Sequence, residues 1–249
     1  MSSRRPLIAP MTGEQRMQEA AFSAQICEAE IEAVRNITGA ETGPDSLFKI
    51  IDNASGFAEM VAKKIRSPAT PPVACKEGCS WCCHQTVRVT APEAFLIARF
   101  ISSLADLGLR TIIEDALRKL DMQTRGLTPK ARAILRTPCA FLKEDRCTIY
   151  AIRPLACAEF TSFNVNDCKK GYRVGFKPKS VIHEKARMVA YYAVRDGLIL
   201  GLRESLPGVD NADLELTAAV VDALDSPQSA RDWLEGKGVF TNAHLKQDQ

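Results

Sequence analysis

Four cysteines fall within nine residues of this chain, in the run CKEGCSWCC (75–83), and no regular element holds such a run comfortably. Cys75, Cys79, Cys82 and Cys83 have the spacing C-x3-C-x2-C-C. Gaps of two to four residues let a loop turn two sulfurs toward one ion, which is the logic of the half-sites in structural zinc proteins. The part Cys75-x3-Cys79-x2-Cys82 is equally the way a loop holds an iron–sulfur cubane. Gly78 sits where a tight ligand loop gains from a residue free to take positive φ. Cys83 complicates a single tetrahedron, because neighbouring side chains diverge along an extended backbone. The segment therefore points to a metal, with a second centre or a bridging thiolate beside it.

Four more cysteines, Cys139, Cys147, Cys157 and Cys168, follow at gaps that leave room for turns, so that four plus four thiols match two sites of four thiolates each. The ninth, Cys27, falls inside an apolar helical stripe and reads as a small packed hydrophobe. The compartment decides how such a set is read. No stretch approaches the roughly 20 apolar residues of a membrane span. The start, MSSRRPLIAPMTGEQ, has two arginines but no apolar run behind them. We therefore expect a cytoplasmic protein, whose thiols stay reduced and whose clustered cysteines bind metal more often than they form disulfides. Disulfides and incidental buried thiols are the competing structural readings of the eight.

Composition excludes rather than identifies. Lys and Arg total 33 against 30 for Asp and Glu, a net charge of +3, so no broad field gathers nucleic acid or an anionic membrane. At 46% hydrophobic residues, the 249-residue chain has enough apolar surface for an ordinary core. Walker loops, Rossmann glycine runs and serine-hydrolase elbows are absent from the sequence.

The periodicity predicts a mainly α fold, with two irregular cysteine-rich segments and a small β-hairpin gathered around metal. A first amphipathic helix carries Phe22, Ile26, Ala29, Ala33, Ile31 and Val34, and a second spans about 46–65 with Leu47, Ile50, Ile51, Phe57, Met60 and Val61 inward. SPATPPVA (67–74) ends it. After the first cysteine run, VRVT suggests a short strand. Helix resumes with Thr90 as N-cap and Pro92 and Glu93 in its first turn. Further helices are expected at about 108–124, 128–136, 180–206 and 212–225, with a frayed polar tail beyond Thr241. AFL and CTIY, separated by KEDR, read as a hairpin. Arg153-Pro154 opens a short helical turn. This divides the chain into a helical region 1–66, a cysteine-cluster domain 75–170, and helices at 178–241 packing on it as one compact unit.

A thiolate centre carries net negative charge, which cations and N–H groups must offset. Lys76, Arg88, Arg146, Arg153, Lys169 and Lys170 lie close enough in sequence to contribute. His84 stands beside the cluster and reads as a polar loop residue before it reads as a ligand. His183 and His244 carry no signal.

CKEGCSWCC together with PCAFLKEDRCTIYAIRPLACAEF and Cys168 resembles the YkgJ-type cysteine-cluster family, described as zinc- or iron-chelating with a CxxCxxCC signature. The resemblance covers about 75–170. It implies that all eight cysteines form the metal set, that Cys27 lies outside it, and that Tyr150, Arg153 and Pro154 belong to the motif. Two departures stand out: the first gap holds three residues where the signature has two, and Ala158 replaces an expected arginine. The family's distant relationship to flagellin lysine N-methylases implies methyl transfer as a remote extension.

Three functions follow as expectations. The first is chelation of zinc or iron, with a protein partner as a further option and neither membrane nor nucleic acid involved. The second is a 4Fe-4S enzyme using S-adenosylmethionine, which the lack of alternating strands and helices disfavours. The third is a thiol redox sensor built on Cys82-Cys83, which needs an exposed thiolate of low pKa.

Overall fold

The computed structural model describes residues 12–176 and 181–248. The reading of the first eleven residues and of Ser180 as a helix start lies outside them. The described residues form ten helices: α1 Gly13–Ala40, α2 Pro44–Ile65, α3 Ala91–Ser102, α4 Leu107–Thr124, α5 Pro129–Leu135, α6 Leu155–Glu159, α7 Val165–Val174, α8 Lys185–Ser205, α9 Leu216–Leu224 and α10 Ser229–Leu234. Four two-residue strands complete them: β1 Arg88–Val89, β2 Leu142–Lys143, β3 Arg146–Cys147 and β4 Leu214–Glu215. The mainly helical expectation holds. None of the described helices is long and apolar enough to cross a membrane.

Two apolar cores organise these elements. In the first, α1, α2 and α8 pack through Ile26, Val34, Ile50, Ala54, Val194 and Leu198. Here α1 and α8 approach so closely that a Cβ added at Gly197 would stand 2.4 Å from the Cys27 carbonyl oxygen, and one at Gly201 2.8 Å from the Val34 Cβ. In the second, α3, α4, α9 and α10 enclose Ile97, Ile101, Leu117, Val220 and Trp233. The cysteine segments span both. Phe141 and Ile149, flanking the hairpin, belong to the second core, while Leu155 and Ala158 of α6 belong to the first.

Several local expectations need correction. Ala29 is exposed, and the buried stripe of α1 is Ile26, Glu30, Ile31 and Val34, so an acid occupies the position given to alanine. Met60 is 56% exposed, since Ala58, Val61 and Ala62 already fill the inner face of α2. The second cysteine segment is more helical than it reads: Cys157 lies on α6 and Cys168 on α7. The helix at α7 has an Asn164 side-chain cap and a Gly175 C-cap at φ 75°, punctuation hidden among polar residues. The VRVT strand pairs with β4, Val89 opposite Leu214, at residues expected to begin a helix. The tail is not frayed. Glu215 N donates to the Ala243 carbonyl at 2.7 Å, Leu245 N donates to the Asp213 carbonyl at 2.8 Å, and Ala243 is fully buried. An unpaired strand edge recruits the tail, which helical periodicity cannot reveal.

Glu30 is fully buried and neither carboxylate oxygen has a hydrogen-bond partner. Burial raises its pKa from an ordinary 4.5 to about 8. The folded state thus keeps a proton that the unfolded chain releases near pH 4.5, so stability falls as pH rises toward 8. The slope is about 1.4 kcal/mol per pH unit. Glu30→Gln should remove this slope: denaturant midpoints should be close to wild type near pH 4.5, with the variant distinctly more stable at pH 8.

Candidate metal centre

The loop between α2 and β1 reaches the cluster by folding back on itself. Arg66 donates from Nε to Glu184 at 2.5 Å and from Nη2 to the carbonyls of Thr70 and Pro71, which seats the proline-rich segment beside α8. Ala74 N then donates to the Ser162 carbonyl at 2.7 Å, and Ser162 N donates to Cys75 Sγ at 3.3 Å. These bonds place Cys75 next to the approach to α7 and so toward Cys168. Gly78 takes the positive φ expected of it, 80°. Trp81–His84 coils into a single 3-10 turn that carries the vicinal pair Cys82 and Cys83.

The distal segment is fastened to this loop from its other side. Cys139 N donates to the Cys83 carbonyl at 2.7 Å. A hairpin forms where one was expected, but it is shorter and shifted into the charged connection: Leu142 lies opposite Cys147 and Lys143 opposite Arg146, while Tyr150 begins a 3-10 turn. Its two-residue turn, Glu144-Asp145, has φ of 50° and 61°, a conformation usually left to asparagine and glycine. Ser80 Oγ donates to Asp145 Oδ1 at 2.6 Å, a side-chain bond that steadies the turn against the first loop.

One buried carboxylate joins the two cysteine segments through their helices. Glu93, 3% exposed, accepts from Thr90 N at 2.7 Å and Thr90 Oγ1 at 2.8 Å, forming the capping box of α3. Its other oxygen accepts from Leu155 N at 2.8 Å, capping α6 two residues before Cys157. At the far end of α6, Arg187 Nε donates to the Ala158 carbonyl at 2.5 Å, and its Nη2 donates to Glu59 at 2.7 Å. The Ala158 side chain is buried in the first core, a place an arginine could not occupy without leaving a charge unpaired.

Six of the eight cysteines, Cys79, Cys82, Cys83, Cys139, Cys147 and Cys157, line one cavity of about 750 Å³. Cys75 and Cys168 adjoin it, each within electrostatic reach of Cys82 and Cys79. Cys157 interacts with Cys139, Cys82 and Cys147. Cys82 is the common member, with the Cys83 thiol as its immediate neighbour. Cys27 stands apart on α1, beside Asp196 and Glu28. All nine are free thiols. Among the described residues no three His, Cys, Asp or Glu side chains already converge on one point as a closed metal site. Closing one requires the thiols to turn within segments whose backbones are already adjacent.

Six of the eight thiols are pushed toward the protonated form. Burial is the main cause raising the pKa of Cys75, Cys147, Cys157 and Cys168, and it pushes Cys139 to about 12. For Cys82 the neighbouring Cys83 thiol is the leading cause of the rise and burial adds to it. Arg153 opposes the rise at Cys75, Cys82, Cys147 and Cys157, so its charge faces the middle of the group. It stacks on Tyr150 at 4.2 Å. Of the other proposed counter-charges, Arg88 lies over Tyr192 and 3.9 Å from Glu159, Arg146 pairs with Glu77 at 3.6 Å, and Lys169 lies over Trp81. Lys76 and Lys170 are exposed. The His84 ring meets the Tyr172 edge, its Nδ1 buried without a partner. His183 and His244 are engaged elsewhere, on the Thr161 carbonyl and on Asp210.

Sequence reasoning missed Arg132. It lies on α5 at 3% exposure, and its Nε and Nη1 are buried without partners, an arrangement costing about 1–3 kcal/mol per group. The interacting groups nearest to it are Glu215 and Cys139. Its only sequence signal is a position shortly before Pro138-Cys139. An all-thiol donor set with an idle buried cation beside it fits a thiophilic metal.

Residues 74–174 match the family model described as "CxxCxxCC: Putative zinc- or iron-chelating domain". Over this segment the chain is similar to the CxxCxxCC domain. The match takes in all eight clustered cysteines and leaves Cys27 outside, while α1, α2, α8, α9 and α10 lie beyond it. No curated protein and no solved structure matches the chain. The chemistry described for the domain is chelation of zinc or iron, without a choice between the two.

Two outcomes follow for the CxxCxxCC segment. Glu93→Ala strands Thr90 N, Thr90 Oγ1 and Leu155 N together, and should lower unfolding free energy by about 3 kcal/mol in a denaturant titration. A cysteine binds metal as its thiolate, so metal uptake releases protons. Addition of zinc to metal-free protein in weak buffer should liberate about four protons per ion, and apparent affinity should climb as pH rises from 6 to 8.

Proposed function

We propose that this protein chelates zinc or iron at two adjoining thiolate centres in a reducing compartment. One centre draws on Cys75, Cys79 and Cys168, the other on Cys139, Cys147 and Cys157, and the vicinal Cys82 and Cys83 supply the fourth sulfur to each. The observation carrying this reading is the position of Cys82, within electrostatic reach of Cys75 and Cys168 on one side and of Cys147 and Cys157 on the other. The division therefore crosses the sequence: Cys168, last in the chain, goes with the first loop.

Four sulfurs and no oxygen donor suit tetrahedral zinc or iron. When bound, the ion supplies charge neutralisation and crosslinks segments that hydrogen bonds have already placed side by side. Arg153 offsets the negative charge of the thiolates. The Cys139–Cys83 backbone bond and the Ser162–Cys75 contact keep the two loops from separating.

Two observations weigh against the other readings. A redox sensor needs a thiolate of low pKa, whereas Cys82 is raised well above the ordinary thiol value. The strands of the described residues are four short ones in two antiparallel pairs, unlike the parallel barrel of an S-adenosylmethionine radical enzyme.

Metal content and the visible spectrum, measured on one anaerobically purified sample, test the proposal. We expect about two ions per chain, from eight thiolates at four per site. A colourless protein means zinc, and thiolate-to-iron absorption means iron. Cys75→Ser and Cys168→Ser should each lose one ion, Cys139→Ser, Cys147→Ser and Cys157→Ser the other, and Cys27→Ser neither. Full occupancy in Cys82→Ser, or loss of the same ion from Cys168→Ser and Cys139→Ser, would defeat the two-centre division.

A further inference from the structure

We infer that the cysteine cavity also binds a free α-amino acid with an apolar side chain, its carboxylate held by Arg88 and its ammonium group by Glu159. This site stands beside the chelation proposed above and does not depend on it.

The cavity is larger than chelation requires. Thiolates hold an ion at about 2.3 Å, so a metal centre by itself calls for little room. At about 750 Å³ the cavity instead matches sites that take small organic molecules. Cysteines form only part of its wall. Tyr192 of α8, Leu216 of α9 and Leu245 of the tail form another part, and all three lie beyond the segment that matches the family model. Backbone pairing fixes this second wall: Leu216 N donates to the Val87 carbonyl at 2.9 Å, and Leu245 N donates to the Asp213 carbonyl at 2.8 Å.

Two opposite charges line the same cavity without closing on each other. Arg88 comes from β1 and Glu159 from the last position of α6, and their nearest atoms are 3.9 Å apart, an ion pair too long for a hydrogen bond. The Arg88 guanidinium lies over the Tyr192 ring at 4.9 Å. Among the described residues its N–H groups make no hydrogen bond, although a guanidinium carries five donors. Glu159 is 13% exposed and has Arg88 as its one ion-pair partner among those residues.

A guanidinium fork receives a carboxylate through two parallel N–H bonds, and a carboxylate such as Glu159 accepts from an ammonium group. A ligand that engages both must carry the two groups side by side, which is the head of a free α-amino acid. A plain carboxylate would leave Glu159 facing its charge, and a plain amine would leave Arg88 facing its own. Phe160, Leu216 and Leu245, lining the same cavity, receive an apolar side chain.

Isothermal titration of the full chain tests the assignment, with L-phenylalanine and L-leucine as probes and metal content measured on each sample. Hydrocinnamate and phenethylamine, which each lack one charge of phenylalanine, serve as analogues. We expect saturable binding of at least one amino acid, and binding weaker by about tenfold or more for both analogues. Arg88→Met should weaken amino-acid binding by a similar factor. Glu159→Gln should do the same while leaving hydrocinnamate bound no less well than in wild type. Both variants should keep the wild-type complement of metal. Failure of both amino acids to bind at millimolar concentration would overturn the inference, as would hydrocinnamate binding as tightly as L-phenylalanine. Unchanged binding in the two variants would overturn it too, and so would loss of metal from Arg88→Met, since Arg88 would then serve the thiolate centre. The analogue series is read on wild type, so it decides the matter even if a variant fails to fold. Amino-acid binding by a wild type that takes up neither zinc nor iron would defeat chelation alone.

Discussion

The Glu93 carboxylate is the constraint on which the cysteine region depends. One oxygen closes the start of α3, where the first cysteine segment ends, and the other closes the start of α6, just ahead of Cys157. Each helix start would otherwise leave N–H groups unsatisfied inside the protein. Because a single buried side chain serves both, the direction in which the first segment exits and the direction in which Cys157 enters are set together. Arg187 does the corresponding work at the other end of α6 by receiving it onto α8. The cluster is thereby suspended between two apolar cores, its hairpin rooted in one and its short helix in the other.

Periodicity made the long helices legible because their inner faces are broad and end at ordinary signals: Pro44 and Asp45 at the start of α2, Thr90 and Glu93 at α3, Thr128 and Pro129 at α5. It also made the hairpin legible, since KEDR is too polar for either core. It failed where partners distant in sequence decide. Nothing local announces that Leu214–Glu215 will pair with Arg88–Val89, or that the tail will join them. Glu30 shows the same limit, a charged letter in a stripe whose burial is imposed by the close approach of α8. Likewise, the eight cysteines were visible as two runs of four, while the contact that brings Cys75 to the second run depends on Ser162, a residue with no mark of its own.

The charge economy of the site runs through two arginines in different circumstances. Arg153 faces several thiols at once and rests on an exposed aromatic ring, so it can serve the group as a whole. Arg132 is enclosed, with two of its nitrogens idle. A net charge of +3 over the whole chain says nothing of either. The informative quantity is where a cation has been denied water, and that is invisible in composition.

Crossing of the sequence by the proposed ligand sets has a consequence for how such a chain is made. Ribosomes deliver residues in order, and Cys75 and Cys79 emerge long before Cys168, with α8, which braces α6 through Arg187, later still. Until then the early thiols belong to a nascent segment with its eventual neighbours missing, open to any passing soft ion or oxidant. A centre completed only by the last of its cysteines cannot be filled correctly from the front of the chain. With the ligands divided as proposed, loading would come late, when the distant halves of the sequence close on each other.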